Sequence, residues 1–128
     1  MELEVTLLPG GATQAGVKVD ASSDGQEQTT IYYDARVRKL KFDTTKSSLE
    51  WGTKIVEEAP FEVRTSEPLV LHIYVDKGIV EVFANDRQAI ARAVYPRLKG
   101  TGVRLFANGG DVKVASVKAW RLTPANPY

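Results

Sequence analysis

The stretch Leu69–Ala84, with the sequence LVLHIYVDKGIVEVFA, decides the fold of this chain. Both of its halves alternate in polarity and are rich in β-branched and aromatic residues, which predicts two β-strands. Lys77 and Gly78 between the halves predict a two-residue hairpin turn, because glycine accepts a positive φ without steric cost. This turn pairs Asp76 with Ile79 and gives the hairpin one wholly aliphatic face, which we expect in the core. The opposite face combines rings with hydrogen-bonding groups: His72, Tyr74, Asp76, Glu81 and Phe83.

The rest of the chain repeats this pattern of short alternating segments, separated by turns that contain Gly, Asn and Asp. About ten such strands without a helical apolar stripe are typical of an all-β domain. We predict an antiparallel, jelly-roll-like β-sandwich of two sheets over residues 1–122, followed by an extended tail over residues 123–128. Residues 44–56 are interpreted as a loop that holds at most one short strand. Beyond the hairpin, strands are predicted at Glu2–Leu8, Gly16–Asp20, Thr29–Asp34, Leu40–Asp43, Phe61–Arg64, Ala89–Val94, Gly102–Ala107 and Val112–Leu122.

Length and composition exclude several classes of protein. With 128 residues and a net charge of +1, the chain fits one domain and has no charge excess that indicates nucleic acid or an acidic membrane as a partner. It has no cysteine, which excludes a disulfide framework, a thiolate zinc site and a cysteine nucleophile. No apolar run is long enough to span a bilayer, and the N-terminal segment lacks the pattern of a signal peptide. We expect the parent protein to be extracellular, with a cytoplasmic location as the alternative.

Residues suited to catalysis or metal binding are sparse. His72 is the only histidine and no serine lies at a nucleophile elbow, so we interpret it as a half-buried polar residue of an outer sheet face. Asp76 and Glu81 could lie close together, as the two carboxylates of a glycosidase do, but turn capping and cross-strand hydrogen bonding are favoured for them. Acidic residues beside the turns could hold a structural calcium, but none has the dense spacing of a calcium loop. No catalytic residue, metal site or cofactor is therefore predicted.

A sugar-binding surface is the sharper hypothesis. Proteins bind sugars with rings that stack on C–H faces and with planar charged groups that take hydroxyls in pairs. Trp120, on the last strand, is expected in the core instead. The aromatic candidates are Tyr32, Tyr33, Trp51, Tyr74, Phe83 and Tyr95. The charged candidates are Asp34, Asp76, Glu81, Arg64, Arg87 and Arg104.

Several segments resemble a known family. Residues 71–86 (LHIYVDKGIVEVFAND), 93–96 (AVYP) and 102–120 (GVRLFANGGDVKVASVKAW) are similar to the C-terminal β-sandwich of the invertase, inulinase and levanase family of glycoside hydrolases, family 32. Residues 31–34 (IYYD) and 40–48 (LKFDTTKSS) resemble further motifs of that sandwich. The resemblance covers nearly the whole chain, and it extends to related modules that bind fructans.

The resemblance implies a sandwich that performs no chemistry by itself. In the family's enzymes a five-bladed propeller carries the catalytic residues in the motifs W-x-N-D-P-N-G, R-D-P and E-C, and none of these strings occurs here. The related modules bind the terminal fructose of levan-type fructans with charged side chains and an aromatic ring. Thr44 departs from the pattern, since the family often has arginine at this point. On the motif positions of this chain, the resemblance implies ligand contacts from Asp34, Asp43, Asp76, Glu81 and Arg104, and the rings of Tyr33, Trp51 and Tyr74 complete the predicted site.

Two functions from different classes remain open. The first is a carbohydrate-binding module for fructans of the levan or inulin type, and it is favoured by the resemblance together with the ring-and-carboxylate face of the hairpin. The second is a structural domain that packs on a catalytic propeller or forms a homodimer with another copy. Independent catalysis is the least favoured alternative, since the sequence contains none of the family's catalytic motifs.

Overall fold

A computed structural model of the protein describes residues 1–49, 52, 54–76, 78–98 and 100–121. Over these ranges the chain forms ten strands and no helix, which confirms the predicted all-β class. Consequently, no helix in this part of the chain is long and apolar enough to cross a membrane. The strands are β1 (Glu2–Pro9), β2 (Gln14–Ala21), β3 (Thr29–Asp34), β4 (Lys39–Asp43), β5 (Val56–Pro60), β6 (Leu69–Asp76), β7 (Ile79–Ala84), β8 (Gln88–Ala93), β9 (Gly102–Asn108) and β10 (Val112–Trp120).

The strands form two five-stranded antiparallel sheets that pack face to face, as the sequence predicts. The first sheet has the order β10-β1-β6-β7-β8, and the second has the order β5-β4-β3-β2-β9. The central hairpin therefore lies in the first sheet, and all the strands between residues 14 and 60 lie in the second. This division decides which predicted site residues can meet, because the outer faces of the two sheets point in opposite directions.

The register of the central hairpin is as predicted. Asp76 pairs with Ile79, which leaves two residues for the loop. Lys77, the first of them, lies outside the described residues. A Cβ atom at Gly78 would lie 3.2 Å from the carbonyl oxygen of Val94, so this position has little room for a side chain.

The aliphatic face of the hairpin forms the centre of the core. Each fully buried aliphatic side chain contributes about 1.5 to 3 kcal/mol to folding, so this face supplies a large part of the free energy of burial. Valines and leucines of β1 and β2, together with Phe42 of β4, pack against it from both sheets. Six hairpin side chains have no exposed surface: Leu69, Leu71, Ile73, Val80, Val82 and Ala84.

Two predictions about individual segments are wrong. The fifth strand is Val56–Pro60, and residues 61–64 are not a strand. Pro60 ends the pairing with β4, and Phe61 then turns into the core, where its ring meets Tyr33 edge-on at 5.7 Å. Trp120 is 45% exposed and not a core residue, because it lies on an edge strand and shares the outer face with Glu2, its partner in β1. The predicted tail, residues 123–128, lies outside the described residues.

The two sides of the sandwich differ in how they close. Where β5 faces β8, polar contacts bridge the sheets: Arg92 forms an ion pair with Glu57, and the side-chain amide of Gln88 donates to the carbonyl of Pro60 at 3.0 Å. Where β9 faces β10, side chains that point inward stay in contact with solvent. We call this side the open edge and define it by Val103, Val114 and Val117, which are 36%, 45% and 49% exposed.

Candidate functional site

The predicted residues of β6 and β7 lie together on the outer face of the first sheet. Strand pairing places Tyr74 between Glu2 of β1 and Glu81 of β7 in one row across the sheet. The next strand in that direction, β8, contributes only small side chains to this face, with Ala91 opposite Glu81. The rings and carboxylates therefore project above the surface that the small side chains of β8 form. We call this surface the hairpin face and define it by Glu2, Glu4, His72, Tyr74, Asp76, Glu81 and Phe83.

The rings of the hairpin face pack against one another. His72 stacks on Tyr74 with ring centres 4.8 Å apart and planes 22° apart, and Phe83 meets Tyr74 edge-on at 6.0 Å. The Nε2 atom of His72 lies 2.7 Å from a carboxylate oxygen of Glu2, so His72 is a half-buried polar residue of the outer face, as predicted. These contacts hold the ring of Tyr74 in place before any ligand arrives.

Two carboxylates of the hairpin face are available for a ligand. Asp76 and Glu81 line a shallow depression with Tyr74 and Ile79, and neither carboxylate bonds to another side chain of the described residues. Partial desolvation, followed by the negative charges of Glu2 and Glu81, raises the pKa of Tyr74. A hydrogen bond to the Glu2 carboxylate contributes to this shift of the Tyr74 pKa, so Tyr74 offers a ligand mainly its ring, beside the carboxylates of Asp76 and Glu81.

The structure places three other predicted ligands on the opposite face. Asp34, Asp43 and Arg104 belong to the second sheet, so the predicted residues form two separate groups. Arg104 is occupied locally, since its guanidinium donates to the backbone carbonyls of Ser22 and Ser23 at 3.3 and 2.9 Å. Tyr33 is 5% exposed, and its ring lies in the core. Trp51 lies outside the described residues.

Asp34 is the centre of a polar network and not a free carboxylate. It is 1% exposed and contacts the side chains of Gln14, Lys41 and Arg36 at 3.2 to 3.5 Å. Burial by itself would raise its pKa, but the hydrogen bonds from Gln14, Lys41 and Arg36 outweigh burial and lower the pKa to about 2. Asp34 therefore stabilises the sheet as an ion throughout the neutral range.

Sequence reasoning missed a buried carboxylate at one end of the sandwich. Glu27 has no exposed surface, although it lies in the polar segment between β2 and β3. Its carboxylate oxygens accept backbone N–H groups of Leu49, Arg97 and Leu98 at 2.8, 2.7 and 2.6 Å. Burial would raise the pKa of Glu27, but these three N–H groups keep it below its usual range. Glu27 thus joins its own loop to two others, the loop of Leu49 and the loop of Arg97 and Leu98, so three loops are connected.

The described residues contain no cluster of three or more acidic or histidine side chains that could hold a metal ion. The arrangement on the hairpin face is instead suited to hydroxyl-rich ligands. Residues 1–121 match the sequence profile described as glycosyl hydrolases family 32 C terminal. The chain belongs to this family.

Relatives of this family 32 domain are longer proteins. It is 34% identical over 133 residues to the levanase of Bacillus subtilis (strain 168), and the match covers 94% of the chain but only 19% of the levanase. The exo-inulinase of Aspergillus awamori superposes with a TM-score of 0.74 at 25% identity, over 90% of this chain and 25% of that one. The carbohydrate-binding module CBM66 from Bacillus subtilis shares the fold, with a TM-score of 0.65 at 15% identity, over 91% of this chain and 71% of the module.

This family 32 domain thus spans about a fifth of the levanase that it matches. The resemblance noted from the sequence assigns catalysis in such enzymes to a separate propeller. The residues described above are accordingly those of an accessory domain.

Proposed function

We propose that this domain is a non-catalytic carbohydrate-binding module that holds a fructose unit of a levan- or inulin-type fructan on the hairpin face. The observation that carries the proposal is the fixed ring of Tyr74 beside the carboxylates of Asp76 and Glu81, which bind no other side chain of the described residues. A ring can cover the C–H face of a sugar, and a carboxylate can accept hydrogen bonds from two neighbouring hydroxyls.

The shape of the hairpin face favours a small unit of a chain over a long segment. The depression beside Tyr74 is shallow and involves few side chains, so we expect a dissociation constant in the micromolar to millimolar range, roughly −8 to −4 kcal/mol. Two relatives carry names that refer to fructans, the levanase and the exo-inulinase, which supports fructan as the ligand. Since such polymers lie outside the cell, we also propose an extracellular parent enzyme.

Calorimetric titration with levan oligosaccharides, inulin oligosaccharides and free fructose tests this function. Glu81→Gln keeps the size of the side chain but removes the charge that accepts two hydroxyls, so we expect binding to weaken about tenfold or more. Tyr74→Ala removes the ring and is expected to abolish measurable heat. Glu62→Gln, an exposed carboxylate elsewhere on the surface, is the matched control and should titrate like the unaltered protein. Equal binding by Glu81→Gln and Glu62→Gln would rule out this face.

The open edge favours a second function, that of a structural domain. Inward-facing Val103, Val114 and Val117 are between about a third and a half exposed, which is unusual for apolar side chains between two sheets. The levanase that this chain matches has about four fifths of its length outside the match, so a catalytic propeller of the parent protein is the proposed occupant of this edge. A homodimer through the same edge is the alternative.

Light scattering and thermal melting distinguish a second copy of the domain from a propeller as the occupant of the open edge. If the edge binds a second copy, the isolated domain should be a dimer at high concentration, and Val117→Lys should convert it to a monomer. If the edge binds a propeller, the isolated domain should remain a monomer, and Val117→Lys should lower the melting temperature of the full parent enzyme only. A parent enzyme whose melting is unchanged by Val117→Lys would exclude the structural role of this edge.

A further inference from the structure

The outer face of the second sheet contains a depression beside the two rings that flank Gly16. Strand pairing places Phe106 of β9 on one side of Gly16 and Tyr32 of β3 on the other. Their rings meet edge-on across the glycine, with centres 5.8 Å apart and planes 67° apart. A Cβ atom at Gly16 would lie 2.1 Å from the carbonyl oxygen of Ile31, so only glycine permits this close approach of strands and rings.

The two rings form part of a groove of about 290 Å³ that crosses the second sheet. Both rings are half-buried, so each keeps part of its surface open to the groove. Apart from the rings, the lining is polar and includes groups that donate and groups that accept hydrogen bonds: Gln14, Lys18, Gln28, Thr30, Asp43, Thr45, Lys46 and Asn108.

Two residues that line the groove, Gln14 and Asn108, belong to a chain of hydrogen bonds and ion pairs that crosses all five strands. Asn108 of β9 donates to Gln14 of β2, and Gln14 donates to Asp34 of β3, each at 3.2 Å. Lys41 of β4 then contacts Asp34 at 3.2 Å and Glu58 of β5 at 3.4 Å. Because each member is bound to the next, Gln14 and Asn108 are held in place, and their polar groups already have partners.

Other residues that line the groove carry polar groups without such partners. The ammonium of Lys18 lies 5.3 Å from the ring centre of Phe106 and has no ion pair within the described residues. The hydroxyls of Thr30 and Tyr32 form no hydrogen bond with that part of the chain, and Asp43 uses only its Oδ1 atom, which binds Thr45. The hydroxyl of Tyr32 is protonated at neutral pH, as in any ordinary phenol, and burial raises its pKa further.

We propose that this groove, here called the Gly16 groove, is a second carbohydrate site that binds one or two units of a neutral, hydroxyl-rich chain. The rings of Tyr32 and Phe106 offer apolar surface to the C–H groups of a sugar. The ammonium of Lys18 donates to sugar hydroxyls, the free oxygen of Asp43 accepts from them, and the hydroxyl of Thr30 does both. Such a mixture of free donors and acceptors matches neighbouring hydroxyl groups, which are themselves both donors and acceptors.

The Gly16 groove and the hairpin face lie on opposite outer surfaces of the sandwich. A ligand in one cannot contact the other, so the two sites share no residues, although sugar is the proposed ligand of both. A domain with two such sites can hold two chains, or two ends of one branched polymer, and its apparent affinity for the polymer then exceeds that of either site.

Nuclear magnetic resonance titration with a levan-derived oligosaccharide tests the Gly16 groove directly. We expect the backbone amide signals of Gly16, Thr30 and Phe106 to shift as the ligand is added. Thr30→Val preserves shape and strand propensity but removes the free hydroxyl, and we expect the dissociation constant for this group of signals to rise roughly three- to tenfold. Lys18→Met, which removes the ammonium and keeps the chain length, should have an effect of similar size.

Matched controls separate this proposal from the one made for the hairpin face. Thr6→Val makes the same substitution on the outer face of the first sheet and should leave the groove signals unchanged. Glu81→Gln should weaken only the shifts around Tyr74. Groove shifts that persist in Glu81→Gln support the second site even if the hairpin face binds nothing. Shifts confined to the hairpin face would overturn it, and so would shifts of the Lys18 and Thr30 signals with inorganic phosphate but not with sugar.

Discussion

Glu27→Gln is expected to lower the free energy of unfolding by about 2 to 4 kcal/mol with almost no change in side-chain volume. The buried carboxylate accepts three backbone N–H groups, two at Oε2 and one at Oε1. The side-chain amide of the introduced glutamine has only one acceptor oxygen. At best, it keeps the hydrogen bonds from the N–H groups of Leu49 and Arg97 and turns its own NH₂ group toward the N–H of Leu98. A hydrogen bond to a charged group contributes about 1.5 to 3 kcal/mol, and the two retained bonds lose the assistance of the charge.

The assay is urea denaturation of the unaltered domain, Glu27→Gln and Asp24→Asn. Asp24 lies in the same loop and accepts hydrogen bonds from Ser22 and Gln26 at 2.7 and 3.1 Å, but it is exposed to solvent. We expect Asp24→Asn to cost less than about 1 kcal/mol, because water replaces what an exposed group loses. In a thermal scan, Glu27→Gln should melt about 10 °C lower in a domain of this size.

Hydrogen exchange adds a local measurement. If Glu27 joins the three loops, the amides of Leu49, Arg97 and Leu98 should exchange faster in Glu27→Gln, while amides of the central hairpin keep their relative protection. The reasoning fails if Glu27→Gln and Asp24→Asn differ by less than about 0.5 kcal/mol, a difference within the usual scatter of surface substitutions.

Three further outcomes are expected. Gly16→Ala should cost about 3 kcal/mol or more, since its Cβ would lie 2.1 Å from the Ile31 carbonyl oxygen, whereas Gly11→Ala, with nothing within 4 Å, should change the melting temperature little. Acid should destabilise the domain as the pH falls from about 4 to 2, because the pKa of Asp34 is lowered from 3.8 to about 2; Asp34→Asn should flatten this pH dependence in urea titrations. Val117→Lys should leave the unfolding free energy of the isolated domain within about 0.5 kcal/mol, as Val117 is 49% exposed, and a larger loss would place it in the core.

The hairpin could be predicted from sequence because its information is local. Alternation with period two assigns each side chain to a face, and the loop length assigns each residue its partner. The pairing of Asp76 with Ile79 follows from these two facts alone. Trp120 was assigned wrongly because an aromatic residue on an edge strand is not buried merely by being aromatic. The exposure of an edge depends on the sheet order, which local patterns do not contain.

The division of the candidate site between two faces could not be predicted. Whether Asp43 and Arg104 lie on the same side of the molecule as Tyr74 depends on which strands share a sheet, and that is decided by long-range pairing. The choice between the adjacent tyrosines was within reach, however. Tyr33 shares its face with the buried Ile31, so alternation alone directs Tyr33 inward and Tyr32 outward.

Strand pairing brings the two ends of the described fold side by side, since Glu2 at the start of β1 pairs with Trp120 at the end of β10. Paired residues of neighbouring strands are about 5 Å apart, so a spacer of a few residues could join the two ends. The sandwich could therefore be inserted into a surface loop of an unrelated host with little strain on either protein. The same proximity permits circular permutation, with new ends opened in the turn at Gly109 and Gly110, and provides a way to display both outer faces from a fixed anchor.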